Sequence, residues 1–422
     1  MILKSGYSRM LITPEKSMYL AGYDKREQKS MGVHDELYAS CLIFQCAGKK
    51  LVLISMDILG VDEILSYKIK KAISDFDKSI GMGCIFVFAT HTHSGPSTVF
   101  YGRKTYDEEY CDFIASRCRD AFIMAMGDAK DSVILSNTMN IYGIASKRNI
   151  HKIEENDEGI KCTILKIKRN GYNTMLINFP CHMTVLNENN LLYSKDMVYG
   201  LQDALCKRGM FNLLYANGAA GDISTRFYRK DASFAEVNRL GAIFADQILS
   251  ACDYNKLSAD DILFKKTGFL LKYKRNLTDS EKDAKRDEIK RHISKIGDMR
   301  LKRDMESALL ILNRPDKNFD NIFGIVKMGN DYFKKVEIQY ALMGRIAFIG
   351  IPFEIYYSTG ERIKDILKMK YGCDTVFLLG YCGGYFGYLP PESDFSSICY
   401  ETIACPFEKD GEGKLFSAVE NL

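Results

Sequence analysis

The amino-acid sequence predicts an α/β fold, with mixed β-sheets flanked by helices and a charged helical hairpin inserted at about residues 276–314. Three observations carry this. Short, near-continuous Val/Ile/Leu/Phe runs recur along the chain, the pattern of strands covered on both faces. Segments with helical apolar spacing lie between them, an alternation typical of α/β proteins. One highly charged stretch interrupts that alternation.

The strand candidates are "ASCLIFQCAG" (39–48), "KLVLISMDILG" (50–60), "CIFVFATH" (84–91), "GIKCTILKIKRNG" (159–171), "TMLINFPCH" (174–182), "FNLLYANG" (211–218), "RIAFIGIPFE" (345–354) and "DTVFLLGY" (374–381). Helical spacing is read over 62–76, with Ile64, Ile69, Ile73 and Phe76 as its stripe, and over 108–126. It recurs over 235–252, where Val237, Leu240, Ile243, Phe244 and Ile248 share a face, and after Glu354, where Ser358 is a candidate cap. In the charged stretch Thr278 and Glu281 have the spacing of a capping box. Ile289, Ile293 and Ile296 form one apolar stripe, Met305, Ala308, Leu309 and Leu312 a second, and Pro315 is the stop. Residues 265–303 hold 14 Lys/Arg against 6 Asp/Glu, read as a solvated helix face rather than a patch for an anionic surface.

Bulk composition narrows the classes. With 46% hydrophobic and 27% charged residues, the 422-residue chain reads as an ordinary soluble globular protein. A net charge of +4 is too small to imply a nucleic-acid partner. The start, "MILKSGYSRMLITPEK", lacks the unbroken apolar core of a signal peptide, and no run reaches the roughly 18 apolar residues of a membrane span. The 13 cysteines form no CxxC pair and are odd in number, so they read as reduced thiols of a cytoplasmic protein.

The chemistry candidates lie at the ends of the apolar runs. In "FVFATHTHSGP", His91 and His93 on an extended segment would offer both imidazoles to one site. Gly95 and Pro96 then end the strand, where open sheets bind ligands. An isolated HxH pair is as readily two histidines satisfied by local hydrogen bonds. His182 closes another apolar run, and Glu354 ends a third just before a helix, where a carboxylate also suits the helix dipole. "GYCGGYFGYLPPESDF" (380–395) is a Gly/Tyr-rich loop, which is either a close-approach surface or a tight turn. In "LLYANGAAGDISTRF" (213–227), Asp222 and Ser224 follow small residues that leave room for a ligand or water; a strand–helix connection with a capping serine reads equally well. Asp57 and Asp196, near other strand ends, are supporting carboxylates or turn caps.

Taken in order, these segments resemble the amino-terminal catalytic domain of the neutral/alkaline ceramidase family, zinc amidases that hydrolyse the N-acyl bond of ceramide. "ATHTHSGP" is similar to the family's hallmark. "FPCHMTVL" followed by "YSKDMVYG", "GDIS", "IPFEIYYSTGERI" and "GGYFGYLPPESDF" are similar to its later segments in order and spacing. The resemblance implies zinc held by His91, His182, Glu354 and Tyr388. It implies attack by zinc-bound hydroxide, proton transfer by His93, oxyanion stabilisation by Arg148 and by Tyr400, and substrate or water positioning by Ser224. It further implies one ceramidase-like catalytic domain over 1–422; members of the family usually continue into a carboxyl-terminal β-sandwich, and this chain, departing from that pattern, is expected to lack it. The substrate would be a small-molecule or lipid N-acyl amide. Two other readings share the HxH pair: a TIM-barrel-type metallohydrolase, and a relative that binds zinc or a ligand without turnover.

Overall fold

The structure, a computed structural model, describes residues 3–99, 107–148, 158–170, 172–210, 212–314, 316–319 and 322–422. Its main sheet has nine strands. Eight run in the order Asn212–Asn217, Tyr172–Phe179, Ile160–Arg169, Lys130–Ile141, Lys4–Leu11, Tyr38–Cys46, Lys49–Met56 and Ile85–Ala89, and Asn255–Leu257 adds to Lys130–Ile141. The end strands pair in parallel with their neighbours and the interior pairs are antiparallel, so the sheet is mixed. A second sheet of five strands orders Ile262–Lys272, Asp331–Met343, Ile346–Ile351 and Thr375–Gly380, with Ile325–Met328 on Asp331–Met343. Neither sheet closes into a parallel barrel, which excludes the TIM-barrel reading.

All eight apolar runs are strands, with ends within two residues of the expected ones except at Gly60, His182 and Glu354, where the chain turns away earlier. The two sheets share an apolar core in which Phe44, Phe86, Phe88, Leu214, Phe348 and Phe377 are fully buried. Burying a side chain of this size contributes about 1.5–3 kcal/mol. Asn178 locks the sheets together at their middle, because its side chain donates to Leu378 O at 2.9 Å and accepts from Leu378 N at 3.2 Å.

Helices Glu63–Phe76 and Glu108–Gly127 cover one flank of the main sheet, and Met197–Cys206 and Phe234–Ser250 cover another. In the first, the buried stripe is Leu65, Ile69 and Ile73, while Ile64 and Phe76 point to solvent. Ile64 was misplaced because i+5 steps drift off the face that packs. Ser358 does not cap helix Tyr357–Tyr371; its N-cap is Tyr356, and Asp222 Oδ1 accepts the first N–H at 2.7 Å. The charged stretch folds as helices Asp279–Lys295 and Met299–Ile311, opened by the Thr278/Glu281 capping box. Ile289 packs on Met305 and Ala308. Pro315 lies outside the described residues. Among the described residues no helix is long and apolar enough to cross a membrane.

Candidate metal centre

One buried amide assembles the centre. Asn217, at the end of its strand, donates to Thr90 O at 3.2 Å and Cys181 O at 2.7 Å, and accepts from Cys181 N at 3.1 Å. Those residues immediately precede His91 and His182, so the two histidine segments are tied side by side. Strand Ile85–Ala89 ends before the HxH pair, and His91 takes φ +67, the left-handed region that is sparse for non-glycine residues. The imidazoles therefore meet across a turn rather than along an extended segment. The His91 and His93 rings stand edge to face with centroids 4.9 Å apart.

Two imidazoles are oriented by main-chain carbonyls. His91 Nδ1 donates to Leu59 O at 2.7 Å, and His182 Nδ1 to Ala220 O at 2.7 Å. A neutral ring with its proton on Nδ1 carries a lone pair on Nε2. Both Nε2 atoms face Glu354 Oε2, at 3.6 Å from His91 and 3.0 Å from His182. That carboxylate oxygen is buried, and among the described residues the two imidazole nitrogens are its polar neighbours. Its other oxygen accepts from Tyr385 Oη at 2.6 Å. Glu354 and Tyr388 are paired residues in a short parallel ladder, which places Tyr388 Oη 3.2 Å from His182 Nε2. Two imidazole nitrogens and a carboxylate oxygen thus converge, a donor set that suits a divalent cation of nitrogen and oxygen preference.

His93 belongs to the same cluster. One ring nitrogen from each of His91, His93 and His182 lies within 4.8 Å of the others, a group that could hold a metal ion. His93 Nε2 is 3.4 Å from His91 Nε2. Burial pushes the His91 imidazole down to about 3, and His182 adds to this against Glu354. Burial together with His91 and His182 holds His93 well below the ordinary histidine range. Burial alone would raise the Glu354 carboxyl, but His91, His182 and Tyr385 outweigh it and bring the group down to about 2.

Arg148 sits behind Tyr388. One terminal nitrogen donates to Glu401 Oε1 at 2.6 Å, to Tyr388 Oη at 3.3 Å and to Gly221 O. Burial opposes the guanidinium charge, yet Tyr388 and Glu401 hold it well above the ordinary value. Burial raises the Tyr388 phenol despite Arg148 beside it. Ser224 bridges His182 through the backbone, and its Oγ accepts from Arg226 N at 3.4 Å. Tyr400 sets its ring edge-on to Tyr388 at 5.6 Å. Asp196 caps helix Met197–Cys206 and accepts from Val185 N and Leu186 N, pinning the turn after His182. Asp57 accepts from Tyr38 N at 2.9 Å, as a turn carboxylate.

Sequence reasoning missed four side chains here. Tyr385 and Tyr381, whose ring stacks on His91 at 4.0 Å, lie in the same Gly/Tyr-rich loop as Tyr388. Glu401 follows Tyr400 directly, so a search for the partner of Arg148 could have found it. Arg26, whose Nη1 donates to His93 O at 2.7 Å, sits in a charged loop that gives no signal.

Fold and site together define a mixed α/β protein with a buried His/Glu/Tyr cluster whose histidines could hold a metal ion. Residues 5–208 match the family model of the neutral/alkaline non-lysosomal ceramidase amino-terminal domain, so the motif resemblance is to that family. The whole chain has the fold of solved ceramidases. One, described as "Ceramidase complexed with C2", superposes with a TM-score of 0.78 at 15% identity over 99% of this chain and 74% of that one. Another, the neutral ceramidase from Pseudomonas aeruginosa, gives 0.75 at 17% identity over 99% and 73%. No curated protein sequence matches the chain.

Proposed function

We propose that this protein is a zinc-dependent amidohydrolase that cleaves an N-acyl amide bond, as the ceramidase resemblance implies. The observation that carries the reading is the buried Glu354 Oε2 lying 3.6 Å from His91 Nε2 and 3.0 Å from His182 Nε2. His91, His182, Glu354 and Tyr388 would hold the ion. When bound there, Zn²⁺ lowers the pKa of water to near 7 and polarises a carbonyl.

The chain's own residues supply the rest. His93, whose Nε2 lies 3.4 Å from His91 Nε2, is placed to carry a proton from the attacking water to the departing amine nitrogen. Arg148 is fixed by Glu401 and puts positive charge beside Tyr388 Oη, where negative charge on the carbonyl oxygen would be stabilised. Tyr400, against the Tyr388 ring, is the second donor for that oxygen. Ser224, bridged to His182, orients the substrate or water. The substrate is a small-molecule or lipid N-acyl amide, of which an N-acyl sphingoid base is the lipid form.

The test compares zinc-loaded and chelator-treated protein on N-acyl amines ranging from short-chain amides to N-acylsphingosines. Zinc-dependent amine release is expected. Undiminished hydrolysis by a zinc-free His91→Ala variant refutes the mechanism. Stoichiometric zinc with no hydrolysis across the panel points instead to a binding protein.

A further inference from the structure

Each of the three clustered imidazoles must be held in a fixed orientation, and one is held differently. His91 and His182 are each anchored by Nδ1 on a main-chain carbonyl. His93 Nδ1 is buried and, among the described residues, has no hydrogen-bond partner. Its ring is instead enclosed by the loop carrying Gly22, Tyr23 and Arg26, which belongs to neither sheet.

Tyr23 meets the His93 ring edge-on at 4.9 Å, and its hydroxyl donates to Leu186 O at 2.8 Å. Gly22 has φ +96, and a Cβ there would lie 2.4 Å from His93 Cγ and Nδ1. Only glycine lets the loop come this close.

Arg26 ties this cradle together. It is 2% exposed. Its guanidinium donates to Ala21 O at 3.2 Å, His93 O at 2.7 Å, Asn187 O at 3.1 Å and Glu188 O at 3.2 Å. Among the described residues it makes no ion pair. Its guanidinium also lies over the Tyr23 ring, 4.9 Å from the centroid. Buried charges are normally paired with an opposite charge, so a guanidinium spent on carbonyls of three separate segments and on that ring is there for its geometry. A planar fork can span those segments; a lysine ammonium, a single point, cannot.

We infer that Arg26 is the positioning residue of His93, setting that ring's orientation against His91 through the 21–26 loop. This rests on the reading of His93 as the proton carrier.

The experiment is a double-mutant cycle on the full chain with Arg26→Lys, His93→Ala and the pair. Zinc content, kcat, KM and the ¹H–¹⁵N spectra of the histidine rings are read. Arg26→Lys is expected to lower kcat about 10- to 100-fold, as for other residues that orient a site, with KM and zinc content little changed. It should shift the His93 ring signals while leaving those of His91 and His182 in place. In the His93→Ala background it should have no further effect on kcat. An equal loss with and without His93, a loss of zinc in step with activity, or unmoved His93 signals overturns the inference. If Arg26→Lys does not fold, Gly22→Ala takes its place in the cycle, because it crowds the same ring. A His93→Ala variant with full activity defeats the proposed function as well. A wild type that hydrolyses nothing defeats that reading alone, and the ring spectra still decide Arg26.

Discussion

Glu354 and Tyr388 are backbone partners in a two-residue parallel ladder, so the carboxylate and the phenol reach His182 from one direction. Their spacing is set by main-chain pairing rather than by side-chain choice. The histidines are set separately, by Asn217.

Replacing His182 with alanine leaves Glu354 Oε2 and Tyr388 Oη without the nitrogen they share. Zinc measured by elemental analysis is expected to fall from stoichiometric to trace, and kcat by more than about 100-fold. Retention of stoichiometric zinc by this variant and by His91→Ala would contradict the assigned ligands.

Tyr385→Phe removes the hydroxyl that orients the Glu354 carboxylate through Oε1. Zinc affinity in a chelator competition should weaken about 10- to 100-fold, with the fold unchanged by circular dichroism. Unaltered affinity would show that this hydrogen bond does not orient the ligand.

Glu401 is fully buried and pairs with Arg148, which is 6% exposed. Glu401→Leu strands a buried cation, and breaking such a pair from one side costs about 3–5 kcal/mol. Urea denaturation should show that loss as a lower midpoint at similar slope. A midpoint within error of the wild type argues that Tyr388 and Gly221 suffice for Arg148.

Burial pushes the Asp57 carboxyl up to about 6, against Lys195 and the Tyr38 N–H, with Asp35 adding to the rise and Thr90 opposing it. A carboxyl raised on folding favours the protonated native state. Its penalty is absent below the unfolded value near 3.9, grows as pH rises, and is complete above about 6. Asp57→Asn should therefore gain stability relative to the wild type between pH 4 and pH 7, on the order of 2–3 kcal/mol. Burial lifts Asp62, Asp196 and Asp222 in the same direction, so the variant-minus-wild-type difference is the quantity to measure. A difference that is flat with pH rejects the assignment.

Much of this was legible because buried strands and their ends leave a plain trace. His91, His182 and Glu354 each follow an unbroken apolar run, and the Gly/Tyr loop flagged Tyr388. Strands Lys4–Leu11, Lys130–Ile141 and Asp331–Met343 escaped notice because polar residues interleave their apolar ones. In Asp331–Met343, Val336 and Ile338 are buried while Lys335 and Glu337 are exposed. Helix starts were less legible: the first N–H of Tyr357–Tyr371 is satisfied by Asp222, far away in the chain. Arg26 was invisible for the same reason, since its acceptors are carbonyls that tertiary packing alone brings together.

His91 and His182 extend from strands of the nine-stranded sheet, whereas Glu354 and Tyr388 follow strands of the five-stranded one. An ion gripped by all four would act as a rivet across the seam between the layers. Loaded protein should then melt in a single cooperative step at a raised temperature, and stripping the ion should let that seam part first.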